Sequence, residues 1–229
     1  MIRFNKTVLQ IIPRLDAGGA ERTTLEVADA VTRSGGRAIV VTAGGRLTDA
    51  ITNIGGEVII APVASKNPIQ ILQNARTLTD LIQRERVEIA HVRSRAPAWS
   101  ALLAARKTGI PLVATYHGAY TAKSSIKQLY NSSMLRADRV IANSRFTADN
   151  IAAIDSAALE RVRVIPRGVD IGLFDPKKVS AERVNQLAAE WGVPEKPGFR
   201  VLLPARLTPW KGHETAIEAI SKIFVGNGK

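Results

Sequence analysis

The stretch "TVLQIIPRLDAGGAERTTLEVADAVTRSGGRAIVVT", residues 7–42, contains two short apolar runs on either side of an amphipathic segment. The runs Thr7–Ile12 and Ala38–Thr42 are almost continuously apolar, as buried strands of a parallel sheet require. Ala20–Arg33 has apolar residues at helical spacing. A strand, a helix and a second strand in this order predict two parallel strands joined by a helix.

The same alternation continues along most of the chain. Further strands are predicted at Glu57–Ala61, Glu88–Val92, Leu112–Thr115, Arg139–Ala142 and Arg163–Ile165. Further helices are predicted at Ile69–Arg84, Ala96–Lys107, Ser125–Leu135 and Phe146–Ala153. Repeated strand–helix units predict an α/β fold with a doubly wound parallel sheet, whose ligands bind at the carboxyl ends of the strands.

The pattern changes after residue 165. The segment 166–180 is rich in Pro, Gly and Asp, which is typical of a connection between domains. A helix is predicted at Ala181–Trp191, and a new strand at Phe199–Leu203 begins another strand–loop–helix unit. The predicted organisation is a Rossmann-like domain at 1–168, a connection at 169–198 and the start of a second Rossmann-like domain at 199–229.

Composition restricts the partners. The chain has 229 residues, no cysteine and a net charge of +12. Between Arg106 and Arg167 there are ten Lys or Arg against four acidic residues, so half of the excess lies there. This charge suits anionic partners, although a basic surface without any partner is an open alternative. Aromatic residues make up only 5%, which argues against nucleic acid as a partner. The absence of cysteine and of long apolar segments predicts a cytoplasmic protein.

Two predicted strand–helix turns carry candidate anion-binding residues. Gly18 and Gly19 enter the first helix, where free backbone amides and the helix dipole favour negative charge. In the alternative interpretation, Asp16 caps this helix and no ligand is involved. Near the other end of the chain, Arg206 and Lys211 flank the loop before the last helix. Two cations at a helix N-terminus suit a diphosphate leaving group, although a solvated basic loop would have the same sequence.

Other candidates follow later strands. His117 and Gly118 come directly after a buried strand, so the imidazole is predicted to bind sugar hydroxyls or to transfer protons, unless it is structural. Ser144 is predicted to cap a helix, which places Arg145 at the edge of the cleft. Arg167 follows the next strand. The three histidines have no metal-ligand spacing, so no metal site is predicted.

Taken together, these segments resemble the family 4 glycosyltransferases, which are retaining, two-lobed enzymes of the GT-B fold. The matching motifs are "GGAER" (18–22), "TYHGAY" (115–120), "VIANSRFTADNI" (140–151), "VIPRGVDIGLFDP" (164–176) and "PARLTPWKGHETAIEA" (204–219). The resemblance implies that 1–168 is the acceptor-side lobe and that 199–229 opens the donor-binding lobe.

The resemblance also implies roles for the candidate residues. His117 would contact the transferred sugar as the catalytic residue, and the donor diphosphate would be bound by Gly18, Gly19, Arg206 and Lys211. Contacts with the cleft or the acceptor would come from Arg95, Tyr116, Gly118, Ser144, Arg145 and Arg167. The implied donor is a UDP- or GDP-sugar, with no cofactor and no metal. The implied acceptor is a lipopolysaccharide, a polysaccharide or a lipid-linked glycan, reached through peripheral contact with the inner face of the membrane.

Members of that family continue well beyond the point where this sequence stops. The resemblance therefore implies a truncated transferase that is inactive alone. Two alternatives stay open, namely a non-catalytic lobe that binds anions or membranes and one half of a split GT-B enzyme. A GT-B nucleotide-sugar epimerase would require carboxylates facing the sugar, and the sequence does not suggest any.

Overall fold

The computed structural model describes residues 3–118, 124–193 and 199–226. The end of the 115–120 motif and the segment 194–198 lie outside the described residues. The chain divides into two compact units, Met1–Gly168 and Val169–Lys229. The predicted connection and the predicted second domain both fall in the second unit, and the division between them stays a prediction.

The first unit is built on seven parallel strands. They are β1 (Thr7–Ile11), β2 (Arg37–Thr42), β3 (Glu57–Ile60), β4 (Ile89–Val92), β5 (Leu112–Tyr116), β6 (Arg139–Ala142) and β7 (Val162–Val164). Their order in the sheet is β3-β2-β1-β4-β5-β6-β7. The predicted doubly wound parallel sheet is confirmed.

Six helices connect these strands. They are α1 (Gly19–Arg33), α2 (Thr48–Asn53), α3 (Pro68–Arg84), α4 (Arg95–Thr108), α5 (Ser125–Ser132) and α6 (Arg145–Ile154). Helix α2 was not predicted, because six residues are too few to show a helical period. Helix α5 is shorter than its prediction, because the chain tightens after Ser132 into a 3₁₀ turn at Met134–Arg136.

Both faces of the sheet are covered, which explains the continuous apolar runs. Successive strand side chains point to opposite faces. Leu9 and Ile11 therefore lie in the larger core cluster, which includes residues of α3 and α4. Val8 lies in the smaller cluster, where Ala28 of α1 and Ile51 of α2 are also buried.

The strand order reverses at the centre of the sheet. Strand β1 pairs with β2 on one side, with Val8 opposite Ala38, and with β4 on the other side, with Val8 opposite Ile89. The connections on the two sides of this point run in opposite directions. They leave a crevice at the carboxyl ends of β1 and β4, which is the usual ligand site of such sheets.

The second unit contains two α-helices among its described residues, α7 (Ala181–Glu190) and α8 (His213–Gly226). The predicted strand Phe199–Leu203 is wrong, since this segment has no regular structure and Val201 is 73% exposed. A strand needs a neighbour to accept its ladder of hydrogen bonds. The described part of the second unit provides none.

No helix in the described ranges has both the length and the apolar character that a membrane span requires.

Candidate functional site

The crevice at the carboxyl ends of β1 and β4 collects several of the predicted residues. Its floor comes from the turn that follows β1 and from the first residues after β4. A cavity of about 330 Å³ lies here. The lining residues are Ile12, Pro13, Arg14, Asp16, Ala20, Glu21, Arg93, Ser94 and His117. We call it the central cavity.

The glycine pair opens helix α1 at the edge of this cavity. Gly18 is the N-cap, with an ordinary extended backbone and no side-chain capping bond. The alternative in which Asp16 caps the helix is therefore wrong. Its carboxylate instead accepts a 2.7 Å hydrogen bond from Arg14, which lowers the pKa of Asp16.

Gly19 is required by close packing and not by its backbone conformation. A Cβ atom at Gly19 would overlap the guanidinium of Arg167. The absence of a side chain lets this cation lie against the N-terminal turn of α1. The helix N-terminus and Arg167 therefore add positive potential at one place, and the carboxylate of Glu21 beside Gly18 partly offsets it.

Arg167 also fixes the state of His117. Its Nη2 atom lies 2.8 Å from Nδ1 of His117. A guanidinium can only donate, so Nδ1 accepts and the proton of the neutral imidazole is on Nε2. Burial, followed by the charges of Arg167 and Arg93, lowers the pKa of His117 to about 4. The ring is therefore neutral at pH 7, and its enclosed Nε2–H has no partner among the described residues.

Arg93 is a functional candidate that the sequence reasoning missed. It follows β4 directly and is only 1% exposed. Its Nε atom donates to Oε1 of Gln10 at 2.7 Å, and Gln10 donates in turn to the carbonyl of Thr24 at 3.0 Å. Nη2 of Arg93 has no partner within the described part of the chain.

The electrostatic state of Arg93 is unusual for an arginine. Burial, followed by repulsion from Arg167, lowers its pKa to about 9, and Glu26 partly opposes this shift. It is still charged at pH 7. Arg93 makes no ion pair with a carboxylate in the described part of the chain; such a buried cation is costly, and an anion in the central cavity would offset that cost. The signal in the sequence was an arginine placed directly at the end of an apolar strand.

The remaining predicted cleft residues are dispersed. Tyr116 is fully buried in the larger core cluster. Ser144 caps α6 as predicted, by accepting a 3.1 Å bond from the amide of Thr147. Arg145 is exposed at the start of α6 and lines neither the central cavity nor the one beside it. A Cβ atom at Gly118 would meet no atom of the described residues within 4 Å.

Arg95 lines the second cavity, which adjoins the central one. His91 is structural, since its Nε2 lies 2.7 Å from the hydroxyl of Thr115 in the sheet interior. Burial lowers its pKa well below the usual value. In the described parts of the chain, no group of three or more His, Asp or Glu side chains is arranged to hold a metal ion.

Arg206 and Lys211 belong to the second unit. Both are exposed, and Lys211 ends a 3₁₀ turn at Pro209–Lys211. Gly212 follows with φ of 74°, a left-handed conformation that suits glycine, and α8 begins at the next residue. The predicted loop that leads from two cations into a helix is therefore present.

Comparison with known proteins decides the family. The sequence model described as Glycosyltransferase Family 4 matches residues 17–173, which is more than half of the chain. The chain belongs to glycosyltransferase family 4. The matched region contains His117 and Arg167 as well as the glycine turn.

Solved structures resemble this family 4 chain over nearly its whole length. A glycosyltransferase from Rickettsia africae ESF-5 is 37% identical, with a TM-score of 0.81 over 96% of this chain and 57% of its own. Anabaena Alr3699/HepE, solved in complex with UDP and glucose, is 21% identical with a TM-score of 0.73, over 94% of this chain and 57% of its own. The predicted GT-B type of α/β fold is thereby confirmed.

A curated relative is D-inositol 3-phosphate glycosyltransferase 1 of Catenulispora acidiphila. It is 31% identical over 134 residues, which are 53% of this chain and 31% of the relative. The chain therefore spans about a third of this curated relative, and somewhat more than half of the solved structures that it matches.

Proposed function

We propose that this chain forms the acceptor-side lobe and the start of the donor-binding lobe of a retaining glycosyltransferase. The enzyme moves a hexose from a UDP- or GDP-sugar to a glycan or lipid-linked acceptor of the cell envelope. Family membership supports the transfer reaction, and the complex of Anabaena HepE with UDP and glucose supports a nucleotide-sugar donor. The 37% identical Rickettsia glycosyltransferase supports the same reaction class.

One observation carries the proposal, namely the state of His117. Its Nδ1 is occupied by Arg167, its Nε2–H is enclosed and unpaired within the described residues, and the ring lines the central cavity. A neutral imidazole held in this tautomer donates a hydrogen bond and is not a strong base. We assign it to a hydroxyl of the transferred sugar, where a preorganised donor can stabilise developing charge.

The diphosphate of the donor becomes a negatively charged leaving group, which positive charge stabilises. In our proposal the N-terminus of α1 at Gly18 and Gly19 faces this group from the first unit, with Arg167 beside it. Arg206 and Lys211 contribute two further cations from the second unit. Side-chain and helix charges then stabilise the leaving diphosphate without a metal or another cofactor.

The place of action is also part of the proposal. We place the enzyme in the cytoplasm, at the inner face of the membrane. Half of the excess positive charge lies between Arg106 and Arg167, and clustered basic residues bind anionic lipid surfaces. This attraction weakens with salt, so binding to anionic vesicles should fall steeply as ionic strength rises.

The test is release and transfer of sugar from UDP-glucose and GDP-mannose. It is measured on the 229-residue chain and on a chimera whose remaining part comes from the Rickettsia glycosyltransferase. We expect turnover by the chimera and little by the chain alone. His117→Ala in the chimera should lower kcat/KM on the order of 100-fold. A chimera that folds and binds UDP but turns over no sugar nucleotide would refute the proposal and favour a non-catalytic lobe.

A further inference from the structure

A second cavity lies beside the central one, at the same edge of the sheet. Its volume is about 560 Å³. It is lined by Pro13, Ala64, Lys66, Ser94, Arg95, Ala96, Lys127, Tyr130 and Asn131. Pro13 and Ser94 also line the central cavity, so the two spaces are neighbours. We call it the basic cavity.

The charge of the basic cavity has one sign. Lys66, Arg95 and Lys127 contribute three cations, and no lining residue is acidic. They come from three separate parts of the first unit, which are the segment before α3, the start of α4 and the first turn of α5. Like charges gathered around one concave space repel one another unless an anion binds between them.

Two neutral polar groups in the wall have no hydrogen-bond partner among the described residues. Asn131 is only 4% exposed, and its Oδ1 accepts a 2.8 Å bond from Arg95. That bond orients the amide, and its Nδ2 then has no acceptor among the described residues. The hydroxyl of Tyr130 is enclosed and likewise unpaired there. Enclosed donors without acceptors are costly, and a ligand with several acceptor oxygens would satisfy both.

The backbone adds a third contribution. Helix α4 has 14 residues and begins at the wall of the basic cavity, where Ser94 is the N-cap. The Ser94 side chain makes no capping hydrogen bond. The dipole of α4 adds positive potential at the same place.

We propose that the basic cavity binds a phosphate group of the acceptor. This inference deepens the proposed function, since it rests on that function for the role of the ligand as acceptor. Three cations, two side-chain donors without acceptors among the described residues and a helix N-terminus suit a group with three oxygens and nearly two negative charges, and they exceed what a carboxylate requires. With its phosphate held there, the acceptor extends past Pro13 and Ser94 towards His117.

The direct test is calorimetric titration of the 229-residue chain with glycerol 3-phosphate and with inorganic phosphate, at constant ionic strength. We expect saturable binding in the millimolar range or tighter. Lys127→Gln and Lys66→Gln should each weaken binding about tenfold, because each removes a charge-assisted contact. Tyr130→Phe should weaken it less, since a neutral donor contributes less.

Lys107→Gln is the matched control. It makes the same change in net charge in the last turn of α4, about 18 Å along the helix from Arg95. Equal weakening by Lys107→Gln and Lys127→Gln would show a general charge effect and overturn the proposal. Absence of saturable binding by the unmodified chain would overturn it as well.

The phosphate can belong to a soluble molecule or to a lipid. Vesicles of phosphatidic acid in phosphatidylcholine distinguish the two sources when they compete with glycerol 3-phosphate. If the vesicles displace glycerol 3-phosphate from the unmodified chain and Lys127→Gln abolishes this displacement, the phosphate belongs to a lipid. If glycerol 3-phosphate binds and the vesicles do not displace it, the phosphate belongs to a soluble molecule. Either result supports the site. Lys127-dependent phosphate binding in a protein whose chimera transfers no sugar would refute the enzymatic function and leave the phosphate site standing.

Discussion

The two units of the chain use similar apolar residues with different results. In the first unit Leu9, Ile11 and Ile39 are completely buried between sheet and helices. In the second unit Leu202 is 65% exposed and Ile217 is 69% exposed. Apolar composition is therefore comparable, and the difference lies in what covers it.

This contrast shows what holds the candidate site in place. Arg93 and His117 directly follow β4 and β5, and each of these strands is paired on both sides, so the sheet fixes their positions. Arg167 lies three residues beyond the edge strand β7, which pairs with β6. Arg206 and Lys211 follow a segment without a ladder of hydrogen bonds. We therefore expect stability and preorganisation to belong to the first unit alone.

The largest expected effect is the loss of stability when a side chain is removed from the core. Ile39→Ala removes a fully buried side chain from strand β2, which should cost about 2–5 kcal/mol of the free energy of unfolding. Ile217→Ala, on α8, should change it by no more than about 0.5 kcal/mol. Urea unfolding, followed by hydrogen exchange of the β1 and β2 amides, measures both. Similar losses for the two variants would contradict the contrast between the units.

The next largest effect is a dependence of folding stability on pH, which arises in the first unit. The pKa of His117 is lowered to about 4 when folded, against about 6.5 when unfolded. The unfolded chain therefore binds more protons in this range, so stability is present above pH 6.5 and is lost as the pH falls towards 4. The loss from His117 is on the order of 2–3 kcal/mol. The pKa of His91 is also lowered, so this group likewise reduces stability as the pH falls.

His117→Gln separates the two histidines. It removes one of the two histidines whose pKa is lowered. The fall in stability between pH 6.5 and pH 4 should then become smaller, and the part due to His91 should remain. Urea midpoints across this range give the comparison, and His213→Gln is a control from the second unit. An unchanged pH dependence in His117→Gln would show that the imidazole is not held neutral by its surroundings.

A smaller change tests the contact between the glycine turn and Arg167. In Gly19→Ala the new Cβ displaces the guanidinium, since a long side chain moves more easily than the backbone. The pKa of His117 should then rise, because a nearby positive charge has moved away. It should stay below 6.5, because burial is the larger cause of its shift. Gly168→Ala is the control, since its Cβ would meet nothing within 4 Å. NMR titration of the imidazole reports both variants.

Much of the first unit could be predicted from the sequence. Continuous apolar runs located all seven strands to within one residue. Burial on both faces explains this signature in the inner strands, whereas the edge strands β3 and β7 are partly exposed. The segment Phe199–Leu203 has the same signature, yet it forms no strand in the structure. Composition reports what a segment can bury and does not report whether a neighbour is present.

The candidate site was only partly predictable, for a related reason. Sequence position placed His117 and Arg167 at the carboxyl edge of the sheet, but it could not show that one fixes the tautomer of the other. Arg93 was missed, because an arginine after a strand is usually solvated. Its burial depends on Gln10, which lies 83 positions earlier in the chain. Long-range contacts of this kind are set by the fold as a whole.

The smallest predicted effect compares two equivalent helix caps. Ser144 accepts a bond from the amide of Thr147 at the start of α6, and Ser180 accepts one from the amide of Arg183 at the start of α7. Helix α6 buries Ile151 against the core, so Ser144→Ala should cost about 1 kcal/mol in the unfolding of the first unit. Helix α7 has no buried residue, so Ser180→Ala should increase hydrogen exchange within α7 and leave the first unit unchanged. Equal losses in the first unit for both variants would show that α7 stabilises it, and would remove the contrast between the two units.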